Sequence, residues 1–168
     1  MIGVIDTEGD CAEWIFPAEP GSVRGARHAV RDALDHWGLD TAVGDTTVLL
    51  VSELVTNALR YASGPIGVRL VQLRPHPADA GRGELTGDFT TDLRLGGRPS
   101  RPAIAPSGTP ALLVEVSDPF PEPPTERTAG PEDEGGRGLQ LVACSARRWG
   151  TRRGKSGKTV WFELALPG

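Results

Sequence analysis

The sequence predicts an α+β fold, an antiparallel or mixed sheet with helices on one face. Three observations predict it. Residues 22–37 and 45–62 carry apolar side chains at helical spacing. Residues 66–73 and 111–116 are short apolar stretches bounded by turn residues, as strands are. Strand patterns also follow one another directly near the C-terminus, which a repeating strand–helix–strand order would not give.

Residues 12–18 are apolar and aromatic (Trp14, Ile15, Phe16) and stop at Pro17-Ala18-Glu19-Pro20, so an early strand is expected. Ser22 is placed to cap a helix running to about Trp37, with Val23, Ala26, Val30, Ala33, Leu34 and Trp37 inward and Gly38 as its stop. Asp45 or Thr46 starts a second helix that reaches about Ala62, where Ser63-Gly64-Pro65 ends it. Ile66, Val68 and Leu70 alternate along a strand over 66–73. Residues 75–110 are rich in Pro, Gly, Asp and Arg without apolar periodicity. They read as an insertion in a single domain, 1–168, either flexible or holding a small hairpin near 83–95. A strong strand over 111–116 ends at Ser117-Asp118, and 119–135 is a loop, proline-rich and then acidic. Gly136-Arg137-Gly138-Leu139 opens a helix to about Ala146, and strands over 147–151 and 159–166 close the domain around a Gly154/Gly157 turn.

At 168 residues one domain with a fair core is expected. The 22 glycines and 15 prolines assign much of the chain to loops. With 18 Lys+Arg against 22 Asp+Glu, the net charge of −4 argues against a broad nucleic-acid surface, although Arg147, Arg148, Arg152, Arg153, Lys155 and Lys158 cluster locally. Cys11 and Cys144 match no metal spacing. The acidic N-terminal stretch without a long apolar run suggests neither a signal peptide nor a membrane span, and a cytoplasmic protein is expected.

The most informative segment is 49–62. Glu53 and Asn57 interrupt its apolar run four residues apart, hence on one face of a helix, one turn from each other. An Asn carbonyl oxygen suits magnesium, which takes the rest of its shell from water and phosphates, and a carboxylate one turn earlier can orient or deprotonate an attacking hydroxyl. By itself the pair equally suits a helix whose polar residues face solvent. Asp118, at a strand end, can accept a hydrogen bond from an exocyclic amine, or simply start an Asx turn. The glycines at 135, 136 and 138 allow backbone to approach phosphate oxygens at a helix N-terminus, or serve only as a helix entry. The pattern is neither a P-loop nor a dinucleotide fingerprint.

Taken together and in this order, the segments resemble the GHKL ATPase family. Glu53-Leu54-Val55-Thr56-Asn57-Ala58 resembles its N box, Val114-Glu115-Val116-Ser117-Asp118 the strand into its first glycine box, Gly136-Arg137-Gly138-Leu139 its second, and Gly157-Lys158-Thr159-Val160-Trp161-Phe162-Glu163 its closing segment. Within the family the likeness is nearest to single-domain actinobacterial anti-sigma factor serine/threonine kinases, whose start is similar to 17–27 here. It covers nearly the whole chain except 75–110. The resemblance implies a Bergerat-type two-layer α/β sandwich with a mixed, mostly antiparallel sheet. It implies ATP and Mg2+ as cofactors: Asn57 as magnesium ligand, Glu53 as general base, and Asp118 on the adenine amine with Thr159 joining through water. Gly136, Arg137, Gly138 and Leu139 would stand on the phosphate side, and Arg60 would face the nucleotide. One departure stands out: the family's first box runs Asp-x-Gly-x-Gly, and here Asp118 is followed by Pro119-Phe120-Pro121-Glu122-Pro123.

The implied activity is phosphorylation of a serine on an antagonist (anti-anti-sigma) protein by a kinase that also binds a sigma factor. The implied partners are those two proteins and a second copy of the chain as a homodimer, with no direct nucleic acid and no membrane. A non-catalytic partner-binding module is the alternative. His28, His36 and His76 stand in no His-Glu or His-Asp pair on a long dimerisation helix, so a self-phosphorylating histidine kinase is not expected.

Overall fold

The computed structural model describes residues 3–8, 10–61, 64–74, 109–119, 136–154 and 157–167, with backbone alone for 3–8, 61, 136 and 137. The expected hairpin near 83–95 and the acidic loop at 132–134 lie outside the described residues.

Among the described residues, three helices, α1 (Gly21–His36), α2 (Thr41–Tyr61) and α3 (Gly136–Ser145), accompany six strands: β1 (Gly3–Glu8), β2 (Cys11–Phe16), β3 (Ile66–Leu73), β4 (Ala111–Asp118), β5 (Arg148–Gly154) and β6 (Gly157–Ala165). The strands form one sheet in the order β1-β2-β3-β4-β6-β5. All five pairings are antiparallel. β1 was not expected; it is an edge strand whose Asp-Thr-Glu end weakens any apolar alternation.

Strand alternation sorts the sheet into two faces. One face carries Ala12, Trp14 and Phe16 of β2, Ile66, Val68 and Leu70 of β3, Leu112, Val114 and Val116 of β4, and Val160, Phe162 and Leu164 of β6. These pack with Ala26, Val30 and Leu34 of α1, Leu50, Val51, Leu54, Val55 and Ala58 of α2, and Val142 of α3 in one core. The helices therefore lie on one face, in two layers. By length and composition Thr41–Arg60 of α2 is apolar enough to cross a membrane, but its apolar side is the centre of this core.

The opposite face carries ions. Glu115, 6% exposed, accepts hydrogen bonds from Arg69 (3.2 Å) and Arg152. Glu163, 2% exposed, accepts from Arg148 (2.6 Å) and Arg147. Burial pushes the Glu163 carboxyl up, but the hydrogen bonds and charges of the two arginines outweigh it and hold the group below its ordinary range. The basic C-terminal cluster is thus partly spent on buried carboxylates rather than left wholly to a partner.

Helix ends explain where the expected boundaries shift. Ser22 does not cap α1; its hydroxyl donates to the Pro17 carbonyl (2.6 Å), and Pro20 holds the cap position without a side-chain bond. At the other end Gly38, at φ 66°, closes α1 with Gly38 N–H on Asp35 and Leu39 N–H on Leu34, the paired bonds of a Schellman motif. α2 begins one turn earlier than expected because the Asp40 carboxylate accepts the Ala42 N–H (2.9 Å).

Candidate functional site

α2 has a core side and a flank. Val51, Val55 and Ala58 face the sheet, while Glu53 and Asn57, both half-buried, line the flank. α3 starts against that flank. A Cβ placed on Gly138 would stand 2.9 Å from Asn57 Nδ2, 3.3 Å from Glu53 Cβ and 3.6 Å from Glu53 Oε2. A side chain here would have to shift the Asn57 amide and press on Glu53 Cβ, so glycine suits this close approach of the two helices. Leu139, the next residue, packs on the core and anchors the helix start. The structure thus brings Glu53, Asn57, Gly138 and the first turn of α3 to one place. That turn presents the unsatisfied N–H groups and positive dipole end of a helix beside a carboxylate and an amide.

Asp118 ends β4 and, by alternation from Val114 and Val116, leaves on the helix side of the sheet. Its strand end is tightly packed. A Cβ on Gly64, just beyond α2, would stand 2.6 Å from Pro119 Cγ. A Cβ on Gly157, the first residue of β6, would stand 2.9 Å from both the Asp118 carbonyl carbon and Pro119 Cα, and closer still to the Asp118 oxygen. The α2–β3 turn and the start of β6 therefore both abut the end of β4.

The remaining expected residues are placed as follows. The register sets Thr159 opposite Ser117, with its hydroxyl 2.8 Å from Ser117 Oγ, and sets Lys158 opposite Asp118. Thr159 thus stands on the face of β4 away from Asp118's. Arg60 is exposed in the last turn of α2 and has an interaction of its own. Gly136 and Arg137 open α3, and the Arg137 side chain lies outside the described residues. Sequence reasoning did not single out Gly64, which reads as a helix stop until Pro119 is seen against it.

Among the described residues no group of three His, Cys, Asp or Glu side chains is placed to hold a metal ion. A lone Asn oxygen beside a helix N-terminus instead suits a magnesium ion that takes most of its shell from phosphates and water. The Gly138 contact sets the Asn57 amide and the Glu53 carboxylate beside the first turn of α3, the group types that a magnesium ion and its phosphates use. A groove of ≈ 490 Å3 lies elsewhere, along α1, lined by Arg24, Arg27, His28 and Arg31 with Val23 and, from α2, Val48. Three of its lining side chains are arginines, which favour anionic groups.

Comparison with protein families matches residues 16–164 to the histidine kinase-like ATPase domain. A search of curated proteins finds no match. The matched span runs from the end of β2 to the penultimate residue of β6 and includes Glu53, Asn57, Asp118 and Gly138. The chain belongs to the histidine kinase-like ATPase family and is built on its ATP-binding domain.

Proposed function

We propose that this protein is an ATP-dependent serine/threonine kinase that acts as an anti-sigma factor, phosphorylating a serine of an antagonist protein. The observation that carries this reading is the close fit of Gly138 against Glu53 and Asn57. It puts a base, a hard oxygen ligand and a helix N-terminus within one turn of each other. Phosphoryl transfer asks mainly for positioning and charge stabilisation, and these groups supply both.

Bound ATP with Mg2+ supplies the transferable phosphoryl group. Asn57 offers its side-chain oxygen to the metal, and the first turn of α3, with Gly136 and Gly138, offers backbone N–H groups to the phosphates. Leu139 holds that turn on the core. Asp118 accepts a hydrogen bond from the adenine amine, and Arg60 lies toward the nucleotide. Glu53 takes the proton of the incoming serine hydroxyl as its oxygen bonds to the γ-phosphorus, while the bond from that phosphorus to the β–γ bridging oxygen breaks and ADP leaves. The arginine-lined groove on α1 serves docking of an acidic face of the sigma factor or antagonist. A homodimer in the cytoplasm belongs to the same reading.

The test is transfer of labelled γ-phosphate from ATP to candidate antagonist proteins, with Glu53→Gln in parallel. Label on a serine, absent with Glu53→Gln, supports the kinase. A second reading has its own observation: Asp118 is followed by Pro119 where the family's box carries glycine nearby, which favours a partner-binding module without turnover. In that case partner binding persists in Glu53→Gln and no antagonist takes label.

A further inference from the structure

The end of β4 is held from two sides by residues with no side chain. Gly64, on the turn after α2, faces the Pro119 ring, and Gly157, at the start of β6, faces the Asp118 carbonyl and Pro119 Cα. Proline fixes its own φ and drives the residue before it into extended backbone, so Pro119 restricts Asp118 directly. The strand end is therefore stiff, and the room it needs is provided by its neighbours.

We propose that Gly64 and Gly157 are positioning residues for the nucleotide base: by admitting the rigid Asp118-Pro119 unit they aim the Asp118 carboxylate and set the preference for a purine with an amine at C6 over one with a carbonyl at C6. This rests on the reading of Asp118 as the base-contacting residue. The chemistry is asymmetric. A carboxylate accepts a hydrogen bond from an exocyclic amine but meets a carbonyl oxygen with repulsion, so selectivity depends on where its oxygens lie. A methyl group at Gly157 has to displace backbone, since its neighbours are the Asp118 carbonyl and Pro119 Cα. A methyl group at Gly64 meets the Pro119 ring, with Cγ at 2.6 Å, Cβ at 3.6 Å and Cδ at 3.9 Å.

These contacts define the experiment. Dissociation constants for ATP, GTP and inorganic tripolyphosphate are measured by calorimetry on the full chain, its Gly157→Ala, Gly64→Ala, Pro119→Ala and Asp118→Asn variants, each with a melting curve. The native protein is expected to prefer ATP over GTP, and Asp118→Asn to lose that preference. Gly157→Ala and Gly64→Ala are expected to lower the ATP/GTP ratio about tenfold, leaving tripolyphosphate binding within about twofold. Pro119→Ala, which frees the Asp118 backbone, is expected to lower the ratio likewise. Folded glycine variants with an unchanged ratio overturn the proposal while leaving the ATP reading intact. A folded Pro119→Ala variant that keeps the native ratio also overturns it. A native protein without any preference for ATP removes the reading of Asp118 on which the proposal rests. Should Gly157→Ala fail to fold, Gly64→Ala and Pro119→Ala decide.

Discussion

Gly138 comes so close to Asn57 that a Cβ on the glycine would lie 2.9 Å from the Asn57 carboxamide nitrogen. No short motif shows this contact; it exists because α3 starts on the flank of α2. A methyl group there would push the amide or the helix start aside. Gly138→Ala is therefore expected to weaken ATP binding about tenfold or more, since near-contact geometry controls this kind of site. Calorimetric titration with ATP and magnesium checks it, with a melting curve to show that the fold survives.

Asn57→Ala removes the side-chain oxygen offered to magnesium. Binding of ATP in native protein is expected to strengthen on adding magnesium, and the variant is expected to lose that response while keeping residual metal-free binding. Titrations with and without magnesium read the difference directly.

Glu53→Gln keeps the size of the side chain and removes its basicity. Transfer to a serine is expected to fall on the order of a hundredfold or more, with ATP affinity little changed. Single-turnover transfer measured beside the binding constant separates the two quantities.

Glu163 makes a pH prediction. Its carboxyl is held below the ordinary range, so its arginine bonds stabilise the fold above the unfolded-state value, about pH 4.3, and that contribution is lost as pH falls through the lower folded value. Urea denaturation at a series of acidic pH values is expected to show this loss in native protein and a flatter profile in Glu163→Gln. At neutral pH the same substitution is expected to cost about 1–3 kcal/mol, because two charge-assisted hydrogen bonds weaken while the arginines remain partly in water.

Gly38→Ala tests the end of α1. At φ 66° a Cβ crowds the backbone even though open space surrounds it, so about 1 kcal/mol of stability should be lost. Thermal melting reads this, and the site lies away from Glu53 and Asn57, so ATP binding should be unaffected.

Much of the fold was legible in the chain. The periodicity of 22–37 and the alternation of 66–73 are local, and both elements formed within two residues of expectation. The start of α2 was not legible because Thr41-Ala42-Val43-Gly44 has weak helical character until Asp40 caps it. β1 was missed because an edge strand needs only one pairing partner and little apolar pattern. Among site residues, Glu53, Asn57 and Gly138 were recognisable by type and spacing, whereas Gly64 was not, since its role depends on Pro119, far along the chain.

By itself the sequence determined which side chains could do chemistry and on which element each would sit, because helix and strand periods are properties of neighbouring residues. Only the tertiary structure decided which of them meet: that Gly138 closes on Asn57, that Thr159 faces Ser117 rather than Asp118, and that two glycines grip the end of β4. Those contacts are set by sheet register and helix packing, which follow from burying one common core and leave no mark on any short stretch of chain.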